Sequence, residues 1–241
     1  LSISSYHHNR WPMHARIEQL QAELVEQGID AAVLDYPSDV YYFSGSGVHG
    51  TVVVPAEGTP ALLARINYDR GVEDSFLADV RRSQGRRSVV EWLTEEVEAS
   101  TVGIEGDVLP ATRRDGLADR LGSGVDLVDV SDTVLAIRSV KSSDEIDAIE
   151  RSVEVSEAVF ERIREVATPG RTEVELVTEM ERLKRDLGAE SEMNYRGWNE
   201  KNNPGHAVTG PNTGEISGPW ISMTGRGVQP GRPWEIGRAH V

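Results

Sequence analysis

Short apolar runs bracketed by turn residues alternate with amphipathic stretches as far as about residue 132, and this alternation limits the fold more than any single motif. Strands that repeatedly give way to helices build a layered α/β domain. Pro12 is placed as a first-turn proline, opening a helix with Ile17, Leu20, Leu24 and Val25 on one face until Gly28 closes it. Residues Asp30 to Asp35 read as a short buried strand, 36 to 39 as a turn, and the aromatic run Val40 to Phe43 as a second strand. Thr51 to Val54 and Ala61 to Ala64 flank a Gly58-containing loop, the pattern of a β-hairpin whose glycine supplies a positive φ. A helix over Ser88 to Ala99, a strand over Val102 to Glu105, a helix near 112 to 121 and a strand over Asp126 to Val130 complete the domain.

The text then changes character. Ser142 and Glu145 form a capping box, in which the Ser hydroxyl accepts from the amide three residues on and the Glu carboxylate reaches back. Behind it Ile146, Ile149, Val153, Phe160, Ile163 and Val166 recur at helical spacing until Thr168-Pro169-Gly170 ends the run. Thr172 and Glu175 form a second capping box, opening a helix with Val174, Val177, Met180 and Leu183, and Gly188 takes the C′ position. Beyond Glu190 the sequence is rich in Gly, Pro and Asn, which predicts irregular loops and short strands.

Charge excludes some functions. The 40 acidic residues outweigh 25 basic ones, a net charge of −15 that repels nucleic-acid phosphates. Lysine is confined to Lys141, Lys184 and Lys201. Such acidic, lysine-poor composition points first to a halophilic protein, with a GC-rich genome that favours Arg codons as the alternative. With no cysteine, any metal must be held by His, Asp or Glu. No run approaches the roughly 18 apolar residues of a membrane span. No secretory leader is visible, so a cytoplasmic protein is expected.

The two ends are set apart from the fold. Residues 1 to 12, with His7 and His8, precede the first Met, Met13, and read as upstream read-through or an incomplete start. Residues 236 to 241 back-translate to a common sequencing-library adapter, so His240 is not counted as a ligand.

Val140 to Ile146 with its long helix, then Thr168 to Glu173 with a second helix, is similar to the entry into the "pita-bread" catalytic domain of creatinases, prolidases and aminopeptidases P. Arg16, Gly28-Ile29-Asp30-Ala31 and Pro37 to Gly45 resemble the N-terminal domain of the same family. The resemblance covers roughly residues 13 to 235. It implies a creatinase-like α/β domain over 1–132, followed over 133–235 by the first, incomplete part of an α+β pita-bread catalytic domain. It further implies a homodimer and two divalent metal ions (Mn, Co, Zn or Fe) held by carboxylates and a His. Those ligands are expected beyond the point where the chain ends, so this chain would hold no metal and be inactive by itself.

Relatives also carry an acid–base His upstream of the ligands, and two registers compete for it. One offers His206. The other takes Gly210-Pro211-Asn212 as the segment preceding that His and puts Ser217 or a neighbour in its place. Arg196, Trp198 and Asn199 lie just upstream and could contact a substrate carboxylate or amide. The leading expectation is a metal-dependent Xaa-Pro aminopeptidase or dipeptidase acting on proline-containing peptides. A creatinase-like or ectoine-hydrolase-like enzyme of a small solute and a non-catalytic binding protein of the same fold stand as alternatives.

Overall fold

The computed structural model describes residues 13–189, 193, 194, 196, 201 and 202. They fall into two compact units, Leu1–Lys141 and Ser142–Val241.

In the first unit the chain runs through α1 (Met13–Gln27), β1 (Ala31–Leu34), α2 (Pro37–Ser44), β2 (Gly50–Pro55), β3 (Ala61–Ala64), α3 (Tyr68–Asp74) and β4 (Asp79–Arg82). It continues through α4 (Arg86–Trp92), β5 (Thr101–Ile104), α5 (Ala111–Leu121), β6 (Asp126–Asp129) and α6 (Ser131–Ser139). The strands form one sheet in the order β4-β3-β2-β1-β5-β6. The β1–β5, β5–β6 and β3–β4 pairs are parallel, while β2 is antiparallel to both neighbours. The antiparallel β2–β3 pair is the hairpin that the sequence predicts, and Gly58 turns it with φ 116°.

The core has two parts, one on each face of the sheet. Leu20 and Leu24 of α1, Val40 and Phe43 of α2 and Val134 of α6 pack on Ala32, Leu34, Val52, Val54 and Leu62. Opposite them, Val89 and Trp92 of α4 and Leu117 of α5 pack on Val33, Val53, Leu63, Val102 and Ile104. Every residue of β1 and β3 is buried, as strands covered on both faces must be. Each large apolar side chain so buried contributes roughly 1.5–3 kcal/mol.

Three local expectations need correction. The run Val40 to Phe43 is not a strand but the middle of α2. Pro37 stands in its first turn and Gly45 ends it with φ 77°, while Val40, Phe43 and Ser44 share the buried face at helical spacing. Val25 does not join the buried face of α1 but points to solvent. The helix predicted over Ser88 to Ala99 starts at Arg86 as α4 and widens into a π turn over Leu93–Val97.

In the second unit both capping boxes form. Ser142 Oγ accepts from the Glu145 amide (3.3 Å) while the Ser142 amide donates to Glu145 Oε2 (2.8 Å), opening α7 (Ser143–Val166). Thr172 and Glu175 repeat the arrangement at the start of α8 (Glu173–Asp186), and Gly188 follows with φ 83°. The Arg162 guanidinium on α7 donates to Glu179 on α8 at 3.0 Å, pairing the two helices. The short strands β7 (Met193–Asn194) and β8 (Lys201–Asn202) pair antiparallel.

Candidate functional site

The chain leaves β1 toward β2, β3 and β4 on one side, and returns at β5 to build the other side of the sheet. Segments leaving β1 and β5 therefore diverge, and at such a switch point a crevice opens beyond the carboxyl ends of the strands. Here it is a cleft of about 780 Å³. Asp35, Tyr36 and Pro37 line it from the end of β1, Glu105 from the end of β5, and His49 and Thr51 from the start of β2. Arg65, Arg86, Arg87, Arg113 and Arg120 add a cationic wall.

The lining residue Glu105 belongs to a charged network. Glu105 is only 2% exposed, and its Oε2 accepts from the Asp35 amide (2.7 Å) and the Tyr36 amide (2.8 Å), tying β5 to the β1–α2 turn. Its carboxyl is also hydrogen-bonded to that of Asp39, which is fully buried at 0% exposure. Arg138 of α6 donates to Asp39 Oδ1 at 2.5 Å. Burial, and then the hydrogen bond and charge of Asp39, push the Glu105 carboxyl up to about 9, against the pull of the two amides. Glu105 thus keeps its proton at neutral pH and can share it with Asp39, while Arg138 balances the one remaining negative charge.

Tyr42 extends the network. Its ring lies under the Arg16 guanidinium (3.9 Å to the centroid) and 5.7 Å from that of Arg138, and its carbonyl accepts from Arg16 Nη1 at 3.0 Å. Of the aromatic run, Phe43 is core, Tyr42 is half-buried and Tyr41 is exposed.

Asp30, in the Gly-Ile-Asp-Ala motif, has a structural job at the other end of the sheet. Its Oδ2 accepts from the amides of Ser100 (2.7 Å) and Thr101 (2.8 Å) and from Ser100 Oγ (2.9 Å). The Thr101 and Ser100 amides hold its carboxyl below the ordinary range.

Of the residues singled out from the sequence, Arg196 lies in a bend and is half-buried. His206, Trp198 and Asn199 lie outside the described residues, as does Ser217. Among the described residues no group of three or more His, Asp or Glu could hold a metal ion. Among the described residues no helix is long and apolar enough to cross a membrane. Sequence reasoning missed the Glu105–Asp39–Arg138 cluster. One signal was present: an acidic residue directly after the apolar strand Thr101–Ile104, at a strand's carboxyl end.

Comparison with known proteins gives a consistent picture. The family model of the creatinase/prolidase N-terminal domain matches residues 16–140. The Xaa-Pro dipeptidase of Pyrococcus furiosus is 29% identical over 181 residues, covering 74% of this chain and 50% of that protein. The solved prolidase structure from Pyrococcus furiosus superposes with a TM-score of 0.65 at 27% identity, over 73% of this chain and 54% of that one. The Xaa-Pro dipeptidase structure from Bacillus anthracis gives a TM-score of 0.69 at 22% identity, over 75% and 51%, a likeness of fold. The chain spans about half the length of the curated relatives it matches.

Proposed function

The chain belongs to the creatinase/prolidase family, and from that premise we propose that the whole protein is a metal-dependent Xaa-Pro aminopeptidase or dipeptidase. The observation that carries this reading is the reach of the likeness. The 181 residues matched to the Pyrococcus furiosus Xaa-Pro dipeptidase exceed the 16–140 span of the N-terminal domain and so run on into the second unit. A shared N-terminal domain alone would leave the chemistry open.

In this reading the first unit is the N-terminal domain, and the capping-box helices α7 and α8 open the catalytic domain. Two divalent ions, held by residues outside the described ones, would supply a means of activating water and polarising the scissile carbonyl in the whole protein. His206 contacts substrate and moves a proton, and Arg196, Trp198 and Asn199 contribute to the substrate rim. A homodimer completes the site, with the N-terminal domain of one copy beside the catalytic domain of the other.

The test is hydrolysis of a Xaa-Pro dipeptide by the full-length protein and its His206→Ala variant. Loss of a general acid–base group lowers kcat by about 10²–10⁴-fold. Unchanged turnover across the pH range would remove His206 from the mechanism and favour the register that passes through Ser217.

A further inference from the structure

The arginines of the first unit divide cleanly. Arg70, Arg81, Arg82, Arg87, Arg114 and Arg138 each pair with a carboxylate. Arg16 stacks on Tyr42. The four others among the described residues, Arg65, Arg86, Arg113 and Arg120, hold no carboxylate, and all four line the switch-point cleft. In a chain where acidic residues outnumber basic ones 40 to 25, available carboxylates are plentiful, so shortage does not explain the four.

Local geometry crowds three of these charges together. Arg113, Gly116 and Arg120 stand at i, i+3 and i+7 on one face of α5. Arg86 of α4 crosses that face at Gly116, its Nη1 2.9 Å from where a Cβ at 116 would stand. The missing side chain makes the room for the Arg86 guanidinium against the helix face that carries Arg113 and Arg120. All three side chains are exposed, and an anion bound among them would meet three positive charges. Arg113 and Arg120 are separated by about 10 Å along the helix at 1.5 Å per residue, too far for one carboxylate to bridge but within reach of a chain of phosphates.

The acids at the cleft do not cancel this charge. Burial and Asp39 push Glu105 toward its protonated form, which leaves Asp35, accepting from Thr51 Oγ1 at 2.5 Å, as one carboxylate facing the five arginines of the lining. His49 and Tyr36 are the other titratable side chains of the lining beside the arginines. The floor is apolar, formed by Val33, Leu63, Val89, Ile104 and Leu117.

We propose that the cleft at the carboxyl ends of β1 and β5 binds a small organic polyphosphate, with its phosphates on Arg86, Arg113 and Arg120 and its organic body over the apolar floor. This site is independent of the peptidase reading, since it lies wholly in the first unit.

Titration calorimetry of the 241-residue chain with ATP, inorganic tripolyphosphate and adenosine tests it. Saturable one-to-one binding of ATP is expected, tighter than tripolyphosphate and weakening as salt rises, with adenosine alone far weaker. The Arg113→Ala/Arg120→Ala double variant should weaken ATP at least about tenfold. Gly116→Ala, which keeps every charge but displaces Arg86, should weaken it as well. Arg114→Ala, on the same helix but paired with Asp115 and outside the lining, should leave it unchanged. No saturable binding, or an Arg114→Ala loss as large as that of the double variant, would overturn the site. Equal affinity for ATP and tripolyphosphate would overturn the role of the apolar floor.

Discussion

The sheet domain and the α7–α8 pair are patterned alike but bury their apolar residues to very different extents. In the first unit the helices' apolar faces meet the sheet, and Leu20, Leu24, Phe43, Val134 and Leu93 are all fully buried. On α7 only Val159 and Val166 are buried, whereas Ile146, Ile149, Val153 and Phe160 are 46–67% exposed. The capping boxes nonetheless form on both α7 and α8. Capping is a matter of a few adjacent residues, while burial needs a second surface. Covering each of those α7 side chains is worth about 1.5–3 kcal/mol, so the helix carries unused packing free energy that the sheet domain has already spent.

The largest expected difference comes from one aromatic in each region. Phe43→Ala, at a position 0% exposed, should cost about 3–5 kcal/mol in chemical denaturation. Phe160→Ala, at 67% exposed, should stay within about 0.5 kcal/mol in the same chain. Equal costs would mean that α7 is covered in solution.

Next in size is the pH dependence of the sheet domain. The folded Glu105 carboxyl titrates near 9, above its ordinary 4.5, so the folded state holds a proton that the unfolded chain releases. Its contribution to stability is complete below about pH 4.5, declines as pH rises, and is lost above about 9. Glu105→Gln keeps a neutral group at the site and should flatten this decline when denaturation midpoints are followed across that range. A variant as pH-sensitive as the parent would place the titration elsewhere.

The smallest effects belong to the caps. Ser142→Ala and Thr172→Ala should each cost about 1 kcal/mol of helix stability, read as loss of amide protection in the first turn of α7 or α8 with none in the sheet. Protection lost in β1 or β5 as well would show that the two regions unfold together.

Much of this fold was legible because its signals are local. Gly58 between two apolar runs and the Ser142 and Thr172 boxes each act over a few residues. Val40 to Phe43 misled because β-branched and aromatic residues in a short run suit a buried helix as well as a strand. The brackets that decide the matter are Pro37, in the first turn of α2, and Gly45, which ends it. The site was far less legible. Asp39, Glu105 and Arg138 are brought together only by the fold, and the unpaired arginines come from three segments, the turn after β3, α4 and α5. Gly116 gave no hint of its use, since its significance lies in the side chain that crosses it.

Hydrolysis of a Xaa-Pro dipeptide, measured with and without added Mn²⁺ for the full-length protein beside the 241-residue chain, is the most direct test of the division proposed between this chain and the rest of the protein. Turnover by the full-length protein that a chelator abolishes, with none from the 241-residue chain, is the predicted result; metal-dependent turnover by the 241-residue chain itself, or none by the full-length protein, would contradict it.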